Sequence, residues 1–166
     1  MAEFRVEWRK AVDYIALPVH TTMAELPARV GPAIDELEAY LDQRGAEPIG
    51  AGLFRYRSVS AEAPFTVEVG QAVANVPRVR DRYVVGRLDE GRYAVATQRG
   101  PYAWIGGLTQ ELMEWGDVQG LDFAVTPGEG TRPDEWACWY EDYANDTVEG
   151  PVGLEGTVDV CLRLRE

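Results

Sequence analysis

Histidine occurs once in this chain of 166 residues, at His20, and serine only at Ser58 and Ser60. Ser-His-Asp and Cys-His catalysis therefore have almost no material from which to be built. Zinc sites of the usual Cys and His composition fail for the same reason. The two cysteines, Cys138 and Cys161, lie inside apolar stretches rather than in a spaced framework, so they read as reduced packing residues that need no disulfide. Residues 142–155 lack the alternating aspartates of a calcium loop, and Gly50-Ala51-Gly52 is too short for a dinucleotide-binding turn. Neither a metal nor a cofactor is implied. No stretch approaches the ~20 apolar residues of a membrane span, and the first ten residues, MAEFRVEWRK, are charged throughout. A cytoplasmic protein with no membrane partner is the expectation.

The chain carries 28 acidic against 16 basic residues, a net charge of −12, which repels phosphate backbones and attracts cations. Direct contact with nucleic acid is not expected. Arg78, Arg80, Arg82 and Arg87 form the one basic cluster, but Asp81, Asp89 and Glu90 are interspersed with them, as in a solvated connector.

The length suits one domain, residues 1–166. Apolar residues alternate over residues 12–19 and 83–96, and each run leads into a segment of helical period. Val30, Ile34, Leu37 and Leu41 define the stripe of the first helix, and Ile105, Leu108, Leu112 and Trp115 that of the second. A turn near Thr22 is expected before a main helix that Pro32 opens and Gly45 closes. The second helix opens after Gly100-Pro101 and closes near Gly120. Strand pairs follow at residues 49–58 and 65–74, then at 136–144 and 157–164, with a loop, a candidate lid, over 145–156.

The plan is strand, helix, strand, strand, twice over, in pseudo-repeats of about residues 4–76 and 82–166. Glu36-Leu37, Tyr40, Asp42 and Gly45 recur as Glu111-Leu112, Trp115, Asp117 and Gly120 at one offset of 75. The expected fold is α+β: one curved antiparallel sheet, both helices on one face and a ligand cleft on the other.

Aromatic residues and carboxylates are densest in residues 136–143, WACWYEDY. On a strand, Trp139, Glu141 and Tyr143 share one face, and Trp136, Cys138, Tyr140 and Asp142 the other. Rings on both faces require a second buried layer or a ligand to cover them. A carboxylate among rings costs several kcal/mol to keep ionised alone, so it takes up a proton or awaits a cation. The alternative for Glu141 is an exposed strand residue paired with an arginine. His20, at the first strand-to-helix junction, suits a hydrogen-bonding or surface role.

Residues 88–102 (LDEGRYAVATQRGPY), Leu112-Met113-Glu114-Trp115 with Gly120, and residues 139–146 (WYEDYAND) resemble, in order and spacing, the GyrI-like small-molecule-binding family. Members of that family act as gyrase-inhibitory proteins, as drug-sensing halves of AraC-type and MerR-type regulators, and as single-domain proteins that bind drugs or hydrolyse cyclopropane-containing compounds. The resemblance implies a buried glutamate among rings at Glu141. It also implies Tyr14, Phe54, Tyr56, Tyr102, Trp104, Trp139 and Tyr143 as ring candidates. The sequence departs from the family after Asp146, where Thr147 replaces a frequent proline and the loop to Val158 is longer, which bears on access to the pocket. No helix-turn-helix pattern is visible at either end.

Three functions follow as expectations. The first is a binding protein for small hydrophobic, preferentially cationic molecules, with Glu141 as counter-charge. The second is a hydrolase in which Glu141 activates water and Tyr14 or Tyr56 stabilises an oxyanion. The third is a gyrase-inhibitor-like interaction protein, supported by net charge alone. Monomer and homodimer are both compatible with the sequence.

Overall fold

The computed structural model describes residues 2–60 and 62–166. In chain order the elements are β1 (Glu3–Arg9), β2 (Val12–Thr21), α1 (Leu26–Gln43), β3 (Pro48–Tyr56), β4 (Phe65–Val73), β5 (Val84–Leu88) and β6 (Gly91–Pro101). A 3₁₀ turn (Tyr102–Trp104) leads into α2 (Ile105–Val118), followed by β7 (Val125–Thr126), β8 (Glu135–Trp136), β9 (Trp139–Tyr143), β10 (Val148–Gly150) and β11 (Gly153–Arg163). The main sheet runs β1-β6-β11-β9-β3-β4-β2-β5, with β10 beside β11, and every pairing in it is antiparallel. The expected α+β duplication is present: β2-α1-β3-β4 and β6-α2-β9-β11 are joined edge to edge through β3 and β9.

Two short connections force the sheet to curl. β1 and β2 lie near opposite ends of the strand order, yet only Lys10 and Ala11 link them. β5 and β6 are likewise far apart, yet only Asp89 and Glu90 link those. Three Cα–Cα steps of 3.8 Å span about 11 Å at most, so the ends of the sheet come together. The concave face is consequently a packed core of Tyr14, Leu53, Leu88, Tyr93, Cys138, Tyr140 and Cys161, drawn from both halves. Arg55, 4 % exposed, ties this face: its guanidinium donates to Tyr14 Oη, to the carbonyl of Arg87 on β5 and to the carbonyl of Ala137.

Both helices pack on the convex face. Leu37 and Leu41 of α1 meet Ile15 and Val73, while Ile105, Leu108 and Leu112 of α2 meet Ala94, Ala96, Val158 and Val160. Glycines in the left-handed region, Gly45 at φ 65° and Gly120 at φ 72°, end the two helices where the sequence places them.

Several local expectations are corrected. Helix α1 begins at Leu26 and runs through Pro32, which sits on the exposed side, where its missing N–H costs no core hydrogen bond. Its buried stripe is Ala33, Leu37, Tyr40 and Leu41, so Ile34 is exposed. Residues 83–96 are two strands of opposite sheet ends, and residues 136–144 are broken at Ala137-Cys138. Much of the expected loop at 145–156 is the β10–β11 hairpin. Strand β1, unassigned in the pattern reading, pairs with β6. Arg78, Arg80 and Arg82 of the basic cluster lie in the connector before β5, Arg82 paired to Glu36, whereas Arg87 lies on β5 and pairs with Asp13. Among the described residues no helix is long and apolar enough to cross a membrane.

Replacing Arg55 by Met strips two buried carbonyls and Tyr14 of a donor, so Arg55→Met should lower unfolding stability by about 2–4 kcal/mol. Urea denaturation followed by tryptophan fluorescence measures it; an unchanged midpoint would show that water replaces the guanidinium.

Candidate functional site: a carboxylate in the gap between the helices

Helix α1 packs mainly on β2 and β4, and α2 on β6 and β11, with the central strands β3 and β9 lying between them. Strand alternation then decides what faces this gap. Phe54 pairs with Glu141 and Tyr56 with Trp139 across β3–β9, while Val158 and Val160 pair with Tyr143 and Glu141 across β11–β9. Paired residues of adjacent strands point to the same side, so Phe54, Tyr56, Trp139, Glu141 and Tyr143 share the helix-bearing face. The expectation of a cleft on the helix-free face is corrected for this group. The helix-free side at β9 carries Tyr140 and Asp142, beside a separate cavity of about 330 Å³ lined by Glu7, Arg9, Leu53, Leu88, Tyr140 and Asp142.

Glu141 is 5 % exposed and forms no ion pair among the described residues, which removes the alternative of a surface carboxylate held by arginine. Tyr143 donates to Glu141 Oε1 at 2.7 Å, and Tyr56 donates more distantly to the same oxygen at 3.4 Å. Oε2 has no side-chain hydrogen-bond partner among the described residues. Burial raises the Glu141 carboxyl to about 7, against the smaller opposing effect of the two phenols. Burial also raises the Tyr56 and Tyr143 phenols well above their ordinary value, so both remain proton donors.

The rings close over the carboxyl. Tyr143 lies 5.2 Å from Phe54 and 5.2 Å from Tyr102 between ring centroids, and Tyr56 lies 5.0 Å from Trp139. Tyr102 reaches Glu141 only through Tyr143, and its hydroxyl is 2.5 Å from Thr147 Oγ1 near the base of the β10–β11 hairpin. Trp104 is 58 % exposed, lies against Gly100 and forms no part of the cage. Tyr14 is on the concave face, where its hydroxyl donates to Glu68 and accepts from Arg55, so it does not meet Glu141. Trp136 was assigned by alternation to the face opposite Trp139. The break at Ala137-Cys138 resets the alternation and brings the two indoles to 5.6 Å. Nothing in the residue spacing signals that break. His20 is exposed beside Thr66, at 3.2 Å from its hydroxyl.

In the folded state Glu141 binds its proton more tightly than in the unfolded chain, where the carboxyl has its ordinary value near 4.5. Stability therefore falls as pH rises from 4.5 through 7, by on the order of 3 kcal/mol. Glu141→Gln should abolish this slope: the variant should be more stable than wild type at pH 8 and no more stable near pH 4.5. Parallel thermal melts across that range measure it, and parallel pH profiles for the two proteins would contradict it.

No family model matches the chain, and no curated protein matches it in sequence. Solved structures do match in fold. The EcmrR C-terminal domain aligns with a TM-score of 0.72 at 11 % identity, covering all of this chain and 99 % of that one. Within the EcmrR–DNA complex the chain spans 58 % of the EcmrR subunit. SAV2435 bound to tetraphenylphosphonium aligns with a TM-score of 0.61 at 10 % identity, covering 98 % of this chain and 94 % of that one. A hydrolase from Listeria innocua aligns with a TM-score of 0.54 at 10 % identity, covering 98 % and 92 %. At such identities the likeness establishes architecture alone: the chain shares its fold with the EcmrR C-terminal domain and SAV2435.

Proposed function

We propose that this protein binds small hydrophobic, aromatic cations, with Glu141 as the counter-charge and Phe54, Tyr56, Trp139 and Tyr143 as walls. The observation that supports this most directly is a buried carboxylate with no cationic partner among the described residues, set among rings on the central strands β3 and β9. A desolvated anion is costly, and a lipophilic cation removes that cost while its apolar surface displaces water from the rings. Each ring facing the cation contributes ~0.5 to 2 kcal/mol, which puts micromolar affinity, about −8 kcal/mol, within reach without shape-specific hydrogen bonds. Broad specificity follows. The fold's occurrence in SAV2435, a protein bound to tetraphenylphosphonium, agrees with this reading.

Since Glu141 is only 5 % exposed, a ligand must displace a ring, and Tyr143 is half-buried and holds Oε1. Binding should therefore break the Tyr143–Glu141 hydrogen bond and exchange it for the cation.

Tetraphenylphosphonium titrated by calorimetry should bind wild type in the micromolar range and Glu141→Gln at least tenfold more weakly. Because a carboxyl at about 7 must lose its proton to serve as counter-charge, affinity should fall about tenfold per pH unit below 7 and level off above it. Equal affinities for wild type and variant would rule out Glu141 as the partner.

A second reading, hydrolysis, is favoured by the same carboxyl. At about 7 it is poised as a general base near neutral pH, and two phenols beside it stay protonated to stabilise developing negative charge. Tyr56 and Tyr143 take the oxyanion role in place of Tyr14, which lies on the other face. Incubation with a cyclopropane-bearing electrophile should then yield the ring-opened water adduct by mass spectrometry, lost in Glu141→Gln. Unchanged electrophile at high protein concentration would eliminate this reading and leave the binding role standing.

A further inference from the structure

Two buried side-chain polar atoms lack any hydrogen-bond partner among the described residues: Arg55 Nε, whose guanidinium is otherwise well bonded, and Trp139 Nε1. For Trp139 this is the residue's one polar atom, on a side chain in a residue only 9 % exposed. A buried indole N–H normally finds an acceptor, since a dry, unpaired donor is a standing cost. A position that needed only apolar bulk would be met by Phe.

Trp139 stands two residues from Glu141 on the same face of β9, and Tyr56 touches both, its ring on Trp139 and its hydroxyl on Glu141 Oε1. The cage thus holds a fully buried donor without a partner at Trp139 Nε1 and, two residues along the same strand face, a carboxylate whose Oε1 alone receives the two phenols. We infer that the site selects ligands that combine a positive centre with a hydrogen-bond acceptor, the cation facing Glu141 and the acceptor taking the Trp139 indole N–H. Alternate residues of a strand stand about 6.5 Å apart, a separation that one para-substituted phenyl ring spans. The substrate or ligand class is accordingly an aromatic cation bearing a carbonyl, ether or similar oxygen across one ring. This rests on the cation-binding reading and makes Trp139 a specificity-determining residue rather than wall alone. Removing the acceptor from such a ligand re-creates the orphaned N–H in the complex, so selectivity comes from the penalty as much as from the bond.

The test uses two phosphonium probes of matched shape, (4-acetylphenyl)triphenylphosphonium and (4-ethylphenyl)triphenylphosphonium, titrated into the full chain. Wild type should bind the acetyl probe about five- to tenfold more tightly than the ethyl probe. Trp139→Phe should bind both with nearly equal affinity, chiefly by losing the acetyl advantage. The wild-type comparison requires no variant, so it stands even if Trp139→Phe folds poorly. Equal binding of both probes by wild type, with affinity still dependent on Glu141, overturns this inference while leaving the cation reading intact. An acetyl preference that persists in Trp139→Phe also overturns it, by placing the donor elsewhere. Failure of both probes to bind wild type overturns both the inference and the cation reading.

Discussion

The structure depends on the seam between β3 and β9. Four registered pairs join the two halves of the sheet there: Leu53 with Asp142, Phe54 with Glu141, Arg55 with Tyr140, and Tyr56 with Trp139. Because strand alternation is strict, a one-residue slip of β9 against β3 would turn β9 over, placing Tyr140 on the helix-bearing side and Glu141 in the concave core. The tie from Arg55 to Arg87 and Ala137 on the concave side resists that slip, as does the packing of Tyr140 against Tyr93. The main helix contacts fall on the flanking strands β2, β4, β6 and β11, and the seam's side chains reach sideways into those clusters, Phe54 toward Ala33 of α1 and Tyr56 and Trp139 toward the cluster of α2. Position in the duplicated fold, more than any single residue, makes this the place for a site.

The excess of aromatic residues in residues 136–143 resolves differently on the two faces. On the concave side a second buried layer exists: the curled sheet brings Tyr14 and Leu88 from one half against Tyr140, Cys138 and Cys161 from the other. On the convex side the rings close over a carboxylate instead. The same sequence density thus builds core on one face and a polar defect on the other. The defect is the informative part, since a buried acid with no cation is tolerated only where its protonation or a ligand answers for it.

Much of the architecture was legible in the residues. The two helical stripes, the glycines at 45 and 120 and the repeated strand pairs follow from periodicity and turn chemistry, and Glu141 stands out as a carboxylate spaced between rings. The facing of the site was not legible, because which side of a sheet receives helices depends on connection geometry that no window of residues contains. The curl itself depends on two-residue links whose significance appears only once β1 and β5 are known to lie at opposite ends. Trp136 illustrates the limit of alternation: a two-residue break at Ala137-Cys138 turns its indole toward Trp139, and neither residue is a recognised breaker. Tyr14 shows the converse, an aromatic strand residue whose partner turned out to be Glu68, on the same β2–β4 face but not the face of Glu141.

Binding and hydrolysis draw on one geometry, and what separates them is which atom of the ligand meets the carboxylate. With Oε1 held by two phenols and Oε2 unpaired, Glu141 can face a fixed positive charge, and its ionisation is then stabilised by the ligand itself. Facing water instead, the same oxygen accepts a proton at a pH where its affinity for one is near balance. A permanent cation lowers the basicity of the carboxylate and so suppresses proton abstraction. A neutral electrophile leaves that basicity at its raised value. The two proposed roles are thus opposed within a single bound state: the better a ligand satisfies the charge of Glu141, the poorer a substrate it makes. Which role dominates is decided by the charge of the molecule that displaces the Tyr143 ring, not by any additional residue in the cage.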